Sequence, residues 1–551
     1  MPVIRVYKHR LEKLVGKQFS IDELEDLLFN LKCEVSIAEE GILEIELNSD
    51  RPDMLITEGI ARVLKGILEI EVGIPKYEAI DTGIKVIVEP PSTRPYIAVA
   101  VVYNVNIDYE LFEELIQFQE KLHMTYGRKR RRIAIGLHDL DKLPSKSLYY
   151  KEVDIDSTKF MPLNESREYT AREILKNIKQ GIEYGDISLR DGKYHPMLFA
   201  GDKVIAMPPV INADITRIEP GTRSLLIDVT GTDLKAVEEA IDILTTTLAE
   251  SGGKIGRVEV HYPDKILTYP KLRTEKIPLD IKYVYKVLGL KLSTNDIKHY
   301  LERMRFNVEV ADEERVIVTI PPFRVDILHP VDLIEDIAMS IGYENIEPES
   351  VKPMTPKPIS SKYRFINALR ELLVGLGFQE LHLYMLTSSK DIEELGLQEK
   401  YVVIANPVTE ELDIVRPTMI NQILRALKVN QHIDMPVKIY SIGDIVVVDE
   451  NKETMTDERT KLALAYMAGK ASFEDLQAPL YAAFRYLDLD IKTVRGEHKL
   501  TIDGRTAKVI IEGEERGFIG EVKPEILEKM SIKLPVVLGE LDITGLWSKH
   551  K

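Results

Sequence analysis

Sliding the 551-residue sequence along itself by 273 positions brings two distant stretches into register, which favours one fold used twice over chance matching of common residues. Gly16, Ser20, Leu24, Leu28 and Val35 meet Gly289, Ser293, Ile297, Leu301 and Val308. Arg51-Pro-Asp53 meets Arg324-Val-Asp326 without a gap. A further shift of four residues pairs Glu58, Ile60 and Ala61 with Glu335, Ile337 and Ala338. Each copy reads as a capped helix, an alternating strand, a turn and a second helix. Ser20 with Glu23 makes a capping box, in which hydroxyl and carboxylate satisfy the free amides of the first turn. Ile45 and Leu47 in one copy, and Val316, Val318 and Ile320 in the other, show the period of two of a half-buried strand.

The chain is too long for one core, and about 150 residues per domain suggests three or four domains. Turn-rich joins divide it into 1–80, a helix–strand module of winged-helix type; 84–262, a mixed segment; 270–348, the second module; and 360–551, an α+β segment. The joins are Asp81-Thr82-Gly83, then His261-Tyr262-Pro263-Asp264 with Pro270, then a linker from Pro348 to Pro358. In 84–262, strands are expected at Ile84–Val88, Ile97–Tyr103, Val204–Met207 and Leu225–Val229. A helix capped by Thr232 or Asp233 follows, with an apolar stripe of Val237, Ile241, Leu244 and Leu248. The last segment opens with an amphipathic helix, Lys362 to Leu376, stopped at Gly377. The class is α+β and multidomain.

A net charge of −17 argues against a generic nucleic-acid binder, because phosphate contacts need clustered Lys and Arg. Any RNA contact is therefore local. Arg128-Lys-Arg-Arg-Arg132, just after Tyr126, is the one dense basic run; it reads either as a solvated loop or as a phosphate- or partner-docking patch. Cys33 is the only cysteine, which excludes disulfides and cysteine zinc sites. No apolar run approaches the roughly 18 residues of a membrane span, and the N-terminus has no hydrophobic signal core, so a cytoplasmic protein is expected.

The helix expected from Pro330 places Asp332, Glu335 and Asp336 on one face, opposite Ile334, Ile337, Ala338 and Ile341. Like charges at these spacings repel by roughly 0.2–0.5 kcal/mol per pair. Solvent, the helix N-terminus, a partner's basic groups or a hard cation such as magnesium could offset this, and Asp326 could complete the oxygen cluster. The histidines (His123, His138, His195, His261, His329) lack metal-ligand spacing; His138, in His138-Asp-Leu-Asp141, reads as a loop-ordering residue. There is no Ser-His-Asp or Cys-His arrangement, and no Walker-type loop.

The acidic block and Asn48-Ser-Asp-Arg-Pro-Asp53 resemble the phenylalanine–tRNA ligase beta-subunit family, archaeal or eukaryotic type. So do the stretch Arg128 to Asp141, Met207-Pro-Pro-Val-Ile-Asn212, Asp228-Val-Thr-Gly-Thr-Asp233, Gly342-Tyr-Glu-Asn-Ile346, Asn406-Pro-Val408, Arg416-Pro417 and Ser441-Ile-Gly-Asp444. The set runs in one order along nearly the whole chain. The resemblance implies a heterotetramer of two alpha and two beta subunits acting on the phenylalanine tRNA, with ATP used on alpha. It implies a magnesium site shared with alpha at Asp326, Asp332, Glu335 and Asp336. It also implies that 84–262 is an editing domain that hydrolyses tyrosine wrongly attached to that tRNA. Asp228 would read the tyrosine hydroxyl, with Thr230 on the same strand face and Asn212 holding the ester or terminal ribose. A buried acceptor favours tyrosine, since phenylalanine would leave it unpaired at a cost of roughly 1–3 kcal/mol. Asp228 could instead cap the turn Thr230-Gly-Thr-Asp233. Ala206 departs from the family's serine, which removes one polar contact from the expected pocket. Hydrolysis would use an oriented water.

The last segment resembles a class II ligase fold, an antiparallel sheet domain, without its chemistry. Val437 to Val446 and Gly517 to Ile526 match the strands that carry nucleotide-gripping arginines, and neither supplies one. Two other readings compete with the ligase subunit: a free-standing deacylase of misacylated tRNA, and a non-catalytic assembly protein.

Overall fold

Offsetting the chain by 273 residues relates two small sheets element by element. Strand Val3–Tyr7, helix Lys8–Val15, helix Ile21–Phe29 and strands Glu34–Glu39 and Ile42–Glu46 form the first. Glu275–Asp280, Ile281–Leu288, Thr294–Arg303, Asn307–Val310 and Arg315–Ile320 form the second. In each, the third strand lies between the other two. Gly16 (φ 85°) and Gly289 (φ 75°) end equivalent helices in the left-handed conformation, which glycine adopts without strain. Ser20 and Ser293 cap the next helices by accepting from the amides of Glu23 and Asp296. Helices Thr57–Ile67 and Pro330–Ile341 complete the copies. The computed structural model describes residues 1–351, 358–397 and 400–548.

The chain divides into two compact units, 1–350 and 351–551. In the first, one hydrophobic core runs continuously from Ile4 to Met339, through both repeats and the segment between them. That segment contributes most of a ten-stranded sheet. Strand Ser224–Gly231 lies antiparallel between Tyr96–Tyr103 and Ile133–Asp139, and helix Leu234–Glu250 buries Val237, Ile241, Leu244 and Leu248. Asp233 is its N-cap, accepting from Lys235 and Ala236.

Asp81-Thr82-Gly83 is not a turn between elements: it lies inside strand Ala79–Val88. Gly83 takes φ 72° there, and the neighbouring strand slips register between Arg257 and Glu259, so a bulge absorbs the turn-forming residues. His261 to Asp264 is the bend of a hairpin in which Ile266–Tyr269 pairs back on Lys254–His261.

The second unit holds a seven-stranded sheet, antiparallel except where Gln379–Glu380 joins its edge. Strand alternation feeds two cores. Tyr440, Ile442, Leu462 and Leu464 face helices Ser361–Gly375 and Glu474–Tyr486, while Ile439, Ala463 and Ala465 face helix Ile420–Val429. Ser360 caps the first of these helices, and Gly377 (φ 86°) follows its end. The Pro348–Pro358 linker lies largely outside the described residues. Among the described residues, no helix is long and apolar enough to cross a membrane.

Candidate active site and ion-pair cluster

Antiparallel pairing sets Asp228 directly across from Gly136, beside a cavity of ≈ 280 Å³ that both residues line with Asn212, Thr216, Glu120 and Arg130. Only 1% of Asp228 is exposed, so its carboxylate needs a partner. His138 Nε2 lies 2.8 Å from Asp228 Oδ1, and His138 Nδ1 lies 2.7 Å from the Thr216 hydroxyl. An ionised carboxylate only accepts, so Nε2 carries the hydrogen. Gly136 is required by this arrangement: a Cβ there would run into Asp228 Oδ1 and stand 3.0 Å from His138 Nε2. Asn212 is half-buried on the wall, paired with Ala206 across a two-residue strand, and its Nδ2 donates to Leu137 O at 3.2 Å. Ala206 itself is buried in the core rather than on the wall.

The structure does not bring Thr230 to the cavity. Its hydroxyl accepts from Arg94 Nε at 2.9 Å and its carbonyl from Arg94 Nη2 at 2.9 Å, both fully enclosed. Burial lowers the Arg94 pKa to about 10, which leaves the guanidinium charged at neutral pH. Arg94 Nη1 also donates to Arg130 O at 3.2 Å, so one buried cation ties the Asp228 strand to the basic run. The turn-cap role weighed for Asp228 belongs to Asp233. His138 lies behind the cavity wall, bonded to Asp228 and Thr216, and Asp139 is the residue that orders the loop, accepting from Asp141 N and the Thr222 hydroxyl. The roles of Arg94, Gly136, His138 and Thr216 escaped the sequence reading because they arise from contacts across strands. Only His138, two positions from Gly136 on one strand face, left a periodic signal.

The four carboxylates of the acidic block line a second cavity, of ≈ 200 Å³, with Lys32, Asn48 and Arg51 from the first repeat. There the repeat appears as two matching forks. Arg51 Nε and Nη2 donate to the two oxygens of Asp53 at 2.9 Å each. Arg324 Nε and Nη2 donate to Asp326 at 2.9 and 2.7 Å. A further ion completes each fork with opposite sign: Arg62 approaches Asp53 at 3.4 Å, while Asp336 accepts from Arg324 at 3.1 and 2.7 Å. Burial would raise the Asp53 pKa, but Arg51, Arg62 and Arg324 hold it at about 2. Asp326 and Asp336 hold the buried Arg324 firmly charged. Asp332 Oδ2 accepts from Leu328 N and His329 N at 2.8 and 2.7 Å, and Glu335 pairs with Lys32. These donors suit a hard cation in type but not in arrangement. Among the described residues no three His, Cys, Asp or Glu side chains are placed to hold a metal ion.

In the second unit, Arg416 Nε donates to Asp444 O at 2.9 Å and Nη1 to Leu383 O at 3.2 Å. Glu540 accepts from the Thr418 hydroxyl, Met419 N and Lys461 at 2.7, 2.8 and 2.5 Å.

Residues 277–343 match the tRNA synthetase B5 domain, and residues 349–543 match the phenylalanyl tRNA synthetase beta chain CLM domain. A phenylalanine–tRNA ligase beta subunit from Aeropyrum pernix is 45% identical over 555 residues, covering 100% of each chain. Its counterpart from Sulfurisphaera tokodaii is 43% identical over 541 residues, covering 98% of each. An N-terminal fragment of the phenylalanyl-tRNA synthetase beta subunit from Pyrococcus horikoshii, solved as a crystal structure, matches with TM-score 0.60 and 38% identity. That match covers 62% of this chain and 100% of the fragment.

Proposed function

Because this chain belongs to the phenylalanine–tRNA ligase beta-subunit family, we propose that it edits the phenylalanine tRNA and scaffolds an alpha subunit that performs the ATP-dependent attachment. The assembly is two alpha with two beta chains. Segment 84–262 is the editing domain, 1–80 and 270–348 are duplicated winged-helix-like modules, and 360–551 is a class II-like domain without nucleotide chemistry.

The observation that carries the editing reading is the enclosed Asp228 carboxylate on a cavity wall. Among the described residues its side chain hydrogen-bonds His138 alone. A carboxylate held on one oxygen keeps lone pairs for a phenolic hydroxyl, and an unsubstituted ring would strand them. Asn212, steadied through Leu137 O, presents its amide oxygen to the terminal ribose or the ester's amino group. Thr230 acts through Arg94, fixing the strand beneath Asp228. The one lining hydroxyl bonded to a base, that of Thr216 on His138 Nδ1, is 1% exposed and serves to orient the imidazole, so a water oriented on the wall attacks the ester carbonyl. The new C–O bond forms as the bond to the ribose oxygen breaks, and the ribose leaves with a proton.

The proposal extends to magnesium at Asp326, Asp332, Glu335 and Asp336 for the assembled tetramer alone, since the isolated chain commits these oxygens to Arg324, Lys32 and its own backbone.

The test is hydrolysis of tyrosyl- and phenylalanyl-tRNA by the chain co-expressed with its alpha partner. The parent should favour the tyrosyl ester, and Asp228→Ala should lose about 1–3 kcal/mol of that preference, roughly 5- to 150-fold. Equal preferences in parent and variant would end the assignment.

A further inference from the structure

The basic run leaves three cations free on a backbone that is held in place. Arg128, Lys129 and Arg130 take φ of 49°, 55° and 63°, three successive non-glycine residues in the left-handed region that L side chains avoid. Such strain persists only where surroundings over-determine it, and it gathers at functional sites.

The surroundings here are specific. Arg94 donates to Arg130 O from below at 3.2 Å. Arg130 Nη1 donates to Pro209 O and Val210 O, both at 3.1 Å, and its guanidinium lies 4.4 Å from the Tyr184 ring centroid. Arg132 donates to Asp233 at 2.8 Å. These ties lock the turn to the wall of the Asp228 cavity, which Arg130 itself lines. Arg128, Lys129 and Arg131 are exposed, and their side chains make no ion pair or hydrogen bond among the described residues.

We propose that Arg128, Lys129 and Arg131 form a phosphate-binding lip on this cavity, which grips the single-stranded RNA end whose last nucleotide carries the ester. The inference rests on the editing reading and names what holds its substrate. A cavity of ≈ 280 Å³ takes an amino-acid side chain and part of a ribose, so the preceding phosphates must cross the rim. A chain of net charge −17 repels RNA over most of its surface, and a short fixed row of unpaired cations is what local capture requires. Because the turn is rigid before binding, little ordering opposes the contact.

The test compares Arg128→Ala/Lys129→Ala/Arg131→Ala with a charge-keeping Arg128→Lys/Arg131→Lys variant, both as full chains assembled with the alpha subunit. Uncharged phenylalanine tRNA is titrated by fluorescence anisotropy over a range of salt, and hydrolysis of tyrosyl-tRNA and of phosphate-free tyrosyl-adenosine is followed separately. Removing three single-strand contacts should weaken tRNA binding about tenfold at roughly 0.1 M salt and flatten the log–log salt slope by about two. KM for tyrosyl-tRNA should rise while kcat and tyrosyl-adenosine hydrolysis hold, and the charge-keeping variant should behave as the parent. Parental affinity and slope in the triple variant would overturn the lip. So would an equal loss on tyrosyl-adenosine, which would mean that the turn merely shapes the cavity. Loss of alpha association in native mass spectrometry, with tRNA affinity unchanged, would make the turn a protein-docking face and also overturn it. A parent that hydrolyses neither ester would refute the editing reading, and the anisotropy arm would still decide the lip.

Discussion

His138 Nε2 lies 2.8 Å from Asp228 Oδ1, with at most 1% of either residue exposed to solvent. The imidazole therefore sets where the carboxylate points, and the Thr216 hydroxyl on Nδ1 sets where the imidazole points. His138→Ala leaves a buried carboxylate without its donor, at a cost of roughly 1–3 kcal/mol. The tyrosyl-over-phenylalanyl preference in deacylation should fall roughly 5- to 150-fold, and His138→Gln, which keeps an N–H near the Nε2 position, should recover much of it. If His138→Ala edited with parental preference, the contact would have no part in selectivity.

Gly136 is the other half of that seat. Gly136→Ala pushes a methyl into Asp228 Oδ1 and to 3.0 Å from His138 Nε2, so the carboxylate must leave its seat. Overpacking of this kind costs roughly 1–3 kcal/mol. Editing should drop at least as far as in His138→Ala while the alpha subunit still charges phenylalanine at the parental rate. Unchanged tyrosyl-tRNA hydrolysis would show that Asp228 need not sit where it does.

Arg324 answers two carboxylates at once, Asp326 and the fully enclosed Asp336. Arg324→Met strips both of their cation, and breaking a buried pair this way costs about 3–5 kcal/mol. Denaturant unfolding of the first unit should move to clearly lower midpoint. Arg324→Met/Asp336→Leu should regain part of the loss, and a single variant as stable as the parent would contradict the ion-pair account. Magnesium should leave the melting temperature of the isolated chain unchanged, because these oxygens are already held.

Asp242, on the long helix, accepts from Lys271 N at 3.0 Å where the middle segment meets the second repeat. Burial pushes its pKa up to about 7, against the amides of Leu272, Lys271 and Arg273 that favour the charged form. Between pH of about 4 and 7 the folded chain keeps a proton that the unfolded chain has released. This group's contribution to stability therefore falls as pH rises through that window, by at most about 1.4 kcal/mol per pH unit. Asp242→Asn removes the titration, so the difference in stability between pH 5 and pH 7.5 should shift toward the neutral side. An identical pH profile in both proteins would assign the proton elsewhere.

The repeat, its caps and the helix stops were legible because they depend on neighbours in sequence: Ser20 and Ser293 cap their own first turns, and Gly16 and Gly289 relieve their own helix ends. Asp228 and Asn212 were found through motif likeness, and both stand on the cavity wall. The sequence determined the order of elements, the duplication and the charge types present. Only the tertiary structure decided which charges meet. Asp326 and Asp336 read as half of an ion-binding face until the fold brought Arg324 between them. Thr230 shares its strand face with Asp228, yet the buried Arg94 claimed it, and His138 became the partner of Asp228 when its strand paired beside it. Electrostatic and hydrogen-bond partners are chosen by distance in space, and across a folded sheet that distance has no counterpart in spacing along the chain.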